Sequence, residues 1–342
     1  MKKTLLATAI AGAMVVSASA SAATVYNQDG TKLDIYGNIQ MVYVSSKEDV
    51  SADGQPRDVQ TTDEIADNGS TFGFAAEHAI TSDVTGYLKL EFDDFKADEM
   101  KTAGRDSGDQ AYVGAKGSFG DVRVGSYDPL IDDWIQDPIT NNEYFDVSDS
   151  YSEGVDEGIV ETDKLTYTSP SFSGLQFALG TQYKGDAEDE NLSDSGEASF
   201  FGGAKYTVGA FSLAAVYDNL DTFDVTTTPE TDWGDQYGVT AQYTVGALRL
   251  SAKYEQFDDG SDAENDIDFA ALGARYGYGM GDVYGAVQEV SYDESDVDDR
   301  TEVIVGGTYN ISSAMYTYIE VATRDNADDE GDGVATGITY LF

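Results

Sequence analysis

Cysteine is absent from the 342-residue chain, and histidine occurs once, at His78. Disulfides, thiolate nucleophiles, iron–sulfur clusters and Cys-type zinc sites are excluded, and one histidine leaves little scope for a His-rich metal centre. Basic residues are scarce as well: 19 Lys and Arg stand against 64 Asp and Glu, a net charge of −45. Phosphate recognition needs clustered Lys and Arg, so the expectation is no nucleic-acid partner. Long apolar runs are also missing after the first two dozen residues, so a bundle of membrane-spanning helices, each needing about 18 or more apolar residues, is excluded. What is present argues against disorder. Hydrophobic residues make up 41% of the chain and aromatics 12%, much of it in 23 tyrosines, far too apolar for a solvated acidic polymer.

The N-terminus has its own character. Lys2 and Lys3 precede an apolar stretch from Leu5 to Val16, followed by small residues ending in Ala20-Ser21-Ala22, the layout of a cleaved secretory leader over residues 1–22. The expected mature chain, 23–342, is a single domain with 17 basic and 64 acidic residues, a net charge of −47. On this segment alone, a soluble secreted protein is an equal reading.

Two-residue alternation recurs along the rest of the chain, and the helical period is almost absent, so the chain reads as all-β. Leu175, Phe177, Leu179 and Tyr183 share one face, with Gln176, Ala178, Gly180 and Gln182 on the other. Phe211, Leu213, Ala215 and Tyr217 oppose Ser212, Ala214 and Asp218, and Leu248, Leu250, Ala252 and Tyr254 oppose Arg249, Ser251, Lys253 and Glu255. The connections alternate between two kinds. Tight turns are expected near 81–83, 118–121, 170–173, 208–209, 245–246, 279–282 and 311–314. Longer acidic loops are expected near 46–66, 97–107, 127–158, 184–195, 220–234, 258–267, 293–300 and 324–333. Together these separate sixteen strands of about 20 residues each with their connection, which suits spans of roughly ten residues tilted across a bilayer. Lipid tolerates a sheet only as a closed barrel with an apolar exterior, and at about 16 strands the interior is too wide for side chains to fill, so the polar face lines water. Tyr43, Tyr183, Tyr217 and Tyr254 near the loop-side strand ends suit the bilayer boundary, although sheet propensity also enriches tyrosine.

Particular motifs sharpen this. Residues Ala23 to Gly37 (ATVYNQDGTKLDIYG), the segment Asp109-Gln110-Ala111-Tyr112-Val113-Gly114, the following Gly120-Asp121-Val122-Arg123-Val124-Gly125, the turn Tyr167 to Gly174 and the terminal Gly337-Ile338-Thr339-Tyr340-Leu341-Phe342 are similar to the general diffusion porins of Gram-negative outer membranes. The resemblance covers essentially all of 23–342, with the outer loops divergent. It implies a 16-stranded antiparallel transmembrane β-barrel with short periplasmic turns and long outer loops, assembled as a homotrimer. It also implies passive diffusion of small hydrophilic solutes and ions, with no cofactor or bound metal, and a third loop, here 127–158, folded inward to narrow the lumen. Pro129, Leu130, Ile131, Trp134, Ile135, Pro138, Ile139, Tyr144 and Phe145 support that role, because a loop in open water seldom carries so many apolar groups.

The resemblance places loop acids at the constriction: Asp128, Asp132, Asp133, Asp137, Glu143 and Asp146, with Asp137, Glu143 and Asp146 preferred as pore-facing. Family members oppose such acids with basic side chains on the barrel wall. Here Asn38, Thr71 and Asp109 occupy three of those positions, and only Lys164, with Lys89 and Arg123 on inward parity, partly restores the positive side. A cation-preferring pore is expected, because low-dielectric walls focus many like charges. Ser126 replaces an arginine that often assists subunit contact. Dense acids in the outer loops read as a hydrated surface, with divalent bridging to lipopolysaccharide as the minority reading.

Catalysis is not expected. His78 shares outward parity with Phe72, Phe74 and Ala76 and has no local serine motif. Gly277-Tyr278-Gly279-Met280-Gly281 lies between strands with no helix following, and Asp93 and Asp94 point to opposite faces of a strand. Two alternatives stay open: a sugar-type specific channel, for which Tyr36, Tyr87, Tyr316 and Tyr318 are candidate lumen aromatics, and a non-conducting adhesin or structural barrel.

Overall fold

In the computed structural model, residues 22–51, 55–93, 97–99, 108–140, 142–150, 161–183, 198–220, 234–258, 260, 266–294 and 297–342 are described. The expected leader lies outside these residues except for Ala22. The described residues contain eighteen strand segments: β1 (Ala23–Gln28), β2 (Thr31–Asp49), β3 (Val59–Asp67), β4 (Phe72–Ala79), β5 (Thr85–Phe92), β6 (Gly108–Gly117), β7 (Gly120–Ser126), β8 (Lys164–Thr168), β9 (Leu175–Gln182), β10 (Ser199–Val208), β11 (Phe211–Asn219), β12 (Asp235–Val245), β13 (Leu248–Asp258), β14 (Ile267–Gly277), β15 (Asp282–Tyr292), β16 (Arg300–Ser312), β17 (Met315–Arg324) and β18 (Gly333–Leu341).

Eighteen segments fill sixteen strand positions. The long β2 is flanked by β1 and β4 along its first half, Thr31 to Gly37, and by β18 and β3 along its second half. β1 and β18 therefore share one position end to end, and so do β3 and β4. The junction is closed by Phe342, whose N–H and carbonyl both pair with Gly37 at 3.0 Å. The ring continues antiparallel from β4 through β5 to β18 and back to β2, so every backbone ladder finds a partner and the barrel is closed.

All seven tight turns join the expected strand pairs. Two features differ from expectation. The first outer connection is shorter than 46–66, because β2 runs to Asp49 and β3 starts at Val59. An extra hairpin joins β1 to β2 through Asp29 (φ 52°) and Gly30 (φ 75°), the Asp-Gly pair that such a two-residue turn requires.

Neighbouring residues see opposite solvents. On β9, Leu179 is 66% exposed and Ala178 fully buried; on β10, Phe200 is 67% exposed and Phe201 5%. The exposed set is the lipid face. Tyr43, Tyr183, Tyr217, Tyr237 and Tyr254 ring its loop end, and Tyr206, Tyr243, Tyr276, Tyr309 and Tyr340 ring its turn end. Two aromatic girdles flanking an apolar band are what a bilayer imposes on a barrel.

Several inward aromatics lie flat against the wall over a glycine of the next strand. Tyr36 covers Gly73, Tyr87 covers Gly114, Phe201 covers Gly180, Tyr284 covers Gly306 and Tyr318 covers Gly337, each ring filling the space a Cβ would need. This pairing buries ring surface without narrowing the lumen, and it pins the register of the sheet.

Candidate functional site

The connection from β7 to β8 turns into the barrel. From Leu130 it coils through a helical stretch, Asp132–Gln136 continuing into Asp137–Thr140. The four-residue spacing of Leu130 and Ile131, Trp134 and Ile135, and Pro138 and Ile139 puts the apolar residues on one face of that helix. That face packs against the inner wall. Leu130, Ile131, Trp134 and Ile135 cluster with Ala178, Phe201, Ala214 and Val216, and Ile139 meets Ala271, Ala286 and Ile304. The wall is small where the loop sits: Leu130, Ile135 and Ile139 each approach a glycine, Gly203, Gly238 and Gly273 respectively. Each fully buried large apolar side chain contributes about 1.5–3 kcal/mol, comparable to the cost of ordering a residue or two of loop backbone.

Polar bonds supply the rest of the clasp. Thr240 Oγ1 donates to the Ile135 carbonyl (2.7 Å) and Ser251 Oγ to the Pro138 carbonyl (2.8 Å). Beyond the helix, three strand carboxylates hold the returning limb. Glu320 accepts the backbone N–H groups of Glu143, Tyr144 and Phe145, all at 2.8 Å, and the Tyr284 hydroxyl at 2.5 Å. Glu302 accepts the N–H and hydroxyl of Ser148 at 2.7 and 2.6 Å, and Glu255 accepts the Ser150 hydroxyl at 2.6 Å and Gln136 Nε2 at 2.6 Å. Glu255, Glu302 and Glu320 are fully buried. Such carboxylates are tolerated only when their oxygens are satisfied.

Because the loop covers β9 to β18 and the second half of β2, the passage is bordered on one side by the loop and on the other by the arc from the first half of β2 to β7. Asp132, Asp133 and Asp137 share the face of the helix turned from the wall and stay partly exposed, and Asp146 is exposed on the returning limb. Burial inside the barrel pushes Asp132 up to about 9, with Asp137, Asp133, Asp128 and Asp149 adding like charge. Burial also raises Asp133, to about 6, reinforced by Asp128 and Asp137 and opposed by Arg123 and Lys205. Glu143 is raised by burial, although Arg275 lies 3.3 Å from its carboxylate.

On the arc, Asn38 donates to Thr71 Oγ1 at 2.9 Å, and their backbones also pair. These two uncharged residues thus satisfy one another. Asp109 sits at a β-bulge beside Glu91, which pairs with Lys89 at 3.1 Å. Lys89 also donates to Gln110, which in turn donates to Asp128. Arg123 stacks over Tyr127, 3.8 Å from the ring centroid. Lys164 is 2% exposed, 4.7 Å from the centroid of the same ring, with Asp218 and Asp128 as its main attractive charges. It is enclosed at the root of the loop, while Asn38, Thr71 and Asp109 border the passage. Tyr36, Tyr87 and Tyr318 are flattened over their glycines.

The wall beneath the loop carries further inward cations that the opening resemblance did not single out: Lys205 below Trp134, Lys253 paired with Glu255 (2.9 Å), Arg275 with Glu143 and Asp282, Arg300 with Glu302 (3.0 Å) and Arg324 with Glu302 (3.6 Å). Strand parity alone marks them, since each shares a face with small or polar neighbours. Most are matched to a carboxylate at contact distance.

A polar lumen narrowed by a clasped inner loop, inside an apolar belt with two girdles, has its counterpart among known proteins. Residues 7–329 match the family described as Gram-negative porin. The chain belongs to that family. Among relatives of this porin, a Halomonas species protein named "Monosaccharide porin" and the "Major outer membrane protein" of Halomonas elongata are each 58% identical over 371 residues, spanning 100% of both chains. Among solved structures, the anion-selective porin from Comamonas acidovorans superposes with a TM-score of 0.71 at 17% identity, over 91% of this porin and all of that chain. Salmonella typhi OmpF gives 0.69 at 19% identity, over 94% and 100%. At that identity the structures speak to the fold alone. The porin is an outer-membrane β-barrel.

Proposed function

We propose that this porin is a water-filled, cation-preferring channel for passive diffusion of small hydrophilic solutes, assembled as a trimer. The observation that carries the reading is the charge on the two sides of the passage. Asp132, Asp133, Asp137 and Asp146 line the loop side, while the arc offers the uncharged pair Asn38 and Thr71 and the acids Glu91 and Asp109 beside Lys89. Of the other expected cations, Lys164 is enclosed and balanced by Asp218 and Asp128, and Arg123 is held against the Tyr127 ring. In a lumen walled by low dielectric, that surplus of acid enriches cations. Flattening of Tyr36, Tyr87 and Tyr318 over glycines keeps three of the four candidate rings against the wall, which favours unselective passage over a sugar slide.

Monosaccharide passage is a second reading, favoured by the 58% identical relative that carries that name. It is compatible with an open pore. Two assays on purified protein test the proposal together. Planar bilayers should show current steps in groups of three, and proteoliposomes should swell in isotonic monosaccharide. Absence of both current and swelling would make this a closed structural barrel.

A further inference from the structure

Charge in this porin is sorted along the pore axis as well as around it. The strand ends at the short turns hold six basic residues: Lys32, Lys116, Arg123, Lys205, Arg249 and Arg275. Three of them are matched there, Lys32 to Asp34 and Lys116 to Glu77 at 2.6 Å, and Arg275 to Asp282 at 3.4 Å. The other acids of this end are Asp29 and Asp83 in the turns and Asp121, which accepts from the Tyr87 hydroxyl. The remaining 11 basic and 58 acidic residues of 23–342 belong to the strand middles and the long connections. The turn end is therefore balanced, and the whole acid surplus stands above it.

Arg123, Lys205 and Arg249 have no carboxylate at contact distance among the described residues. Lys205 and Arg275 lie one inward-facing step nearer the turns than Gly203 and Gly273, the glycines that receive Leu130 and Ile139 of the inner loop, and Arg249 stands directly opposite Arg275. Lys205 and Arg249 are thus on the wall just beneath the acid-bearing helix. Lys205 rests 5.3 Å from the Trp134 ring, with Asp133 and Asp137 acting on it only through space, and Asp282 and Asp137 act on Arg249 in the same way. Arg123 lies between the rings of Tyr112 (5.0 Å) and Tyr127 (3.8 Å), contacts that hold a guanidinium without neutralising it. All three stay partly exposed.

An ion crossing the pore meets two zones in series. The loop end and the constriction enrich cations, and the wall beneath them adds a band of uncancelled positive charge. We infer that Lys205 and Arg249, with Arg123, make conduction directional: they set a charge step along the axis, so current and ion preference depend on which way the field points. A field that drives cations in from the loop end and anions out from the turn end carries both into the step and loads it with ions. The reversed field empties it. The inference rests on the acidic, conducting passage proposed above.

Single-channel recording of the purified porin tests it, with Asp298→Cys as an orientation mark. Asp298 is exposed in an outer connection, the chain has no other cysteine, and a bulky thiol reagent reaches it only from the loop side. In about 0.1 M KCl, where the Debye length is about 10 Å, open-channel current with the loop side positive should exceed that at the opposite polarity roughly 1.5-fold or more. The ratio should fall to near one at about 1 M, where that length is about 3 Å. Under a salt gradient the cation-selective potential should be larger with the dilute solution at the loop end, where the acids are then least screened. The pair Lys205→Gln, Arg249→Gln should lose at least half of the excess current, and Lys205→Arg, Arg249→Lys should keep it, because charge alone is at stake. Each variant's own current steps show that it has inserted; should the neutral pair fail to insert, Lys205→Gln alone carries the test. Equal wild-type currents at both polarities in low salt, an asymmetry unchanged by neutralisation, or one lost equally in the charge-keeping pair would each overturn the charge step. Cation-selective potentials of equal size in both orientations would refute the step and leave the acidic passage standing, whereas anion-selective potentials in both would refute the passage itself.

Discussion

Replacing Glu320 by Gln should free the returning limb of the inner loop without opening the barrel. One carboxylate there accepts four bonds, from the amides of Glu143, Tyr144 and Phe145 and from the Tyr284 hydroxyl. Hydrogen bonds to a charged group contribute about 1.5–3 kcal/mol each, and neutral ones about 1 kcal/mol. An amide keeps one acceptor oxygen and turns an NH₂ toward donors, so roughly two bonds survive uncharged and two are lost. The net cost to the seated loop is about 3–5 kcal/mol after solvation of the released groups. Since about 1.4 kcal/mol is a tenfold change in equilibrium, local opening of residues 142–150 becomes a hundredfold or more easier. The sheet hydrogen bonds of β17 are untouched, so the folded barrel persists. Hydrogen exchange of detergent-solubilised protein should show the amides of Glu143 to Phe145 exchanging at least a hundred times faster, with β17 protection unchanged, and open-channel current should become noisier. Unchanged exchange at those three amides would refute the view that Glu320 clamps the loop.

Three further outcomes follow from the same geometry. The triple variant Asp132→Asn, Asp133→Asn, Asp137→Asn should reduce cation over anion permeability several-fold at about pH 10, where Asp132 and Asp133 are ionised, since each charge at contact distance contributes about 1 kcal/mol in a watery lumen; reversal potentials in a salt gradient measure it. Cation preference should rise with pH between about 5 and 10, because Asp133 and Asp132, raised to about 6 and about 9, are neutral below those values and charged above them. The same sign makes seating of the loop weaker as pH climbs: a carboxyl held above its unfolded value binds its proton more tightly when folded, so the stabilisation is present at low pH and is lost through that window. Hydrogen exchange of residues 130–140 as a function of pH reads this. Gly114→Ala should cost about 1–3 kcal/mol, seen as a lower denaturant midpoint for the detergent-folded barrel, because the new methyl overlaps the Tyr87 ring.

Much of the barrel is legible in the sequence because a bilayer and a water column punish opposite residue types at every second position. Leu175 to Tyr183 shows this at the level of single residues, and each of the tight turns is punctuated by Gly, Pro or Ser at the strand ends. The extra β1–β2 hairpin is less visible, although Asp29-Gly30 carries its turn chemistry. It depends on β1 and β18 sharing one strand position, which is a property of closure and not of local pattern. The inner loop shows a four-residue apolar repeat from Leu130 to Ile139 that marks a short helix, but what seats it is nonlocal. Glu255, Glu302 and Glu320 look like any inward acid until the loop's amides arrive, some 105 to 177 residues away in sequence. The enclosure of Lys164 is hidden for the same reason, because Tyr127 and Asp218 come from different strands and loops. Cations such as Lys205 and Arg275 are visible by parity, yet only their partners show whether they add charge to the passage or cancel it.

The most direct measurement of the central claim is the zero-current potential of purified wild-type channels under a tenfold KCl gradient, at low ionic strength and pH 8. An acidic passage in which most wall cations are paired or enclosed should give a potential of cation-selective sign that shrinks as both solutions are made more concentrated, since screening shortens the reach of the carboxylates. A potential of anion-selective sign, or one indifferent to ionic strength, would contradict it.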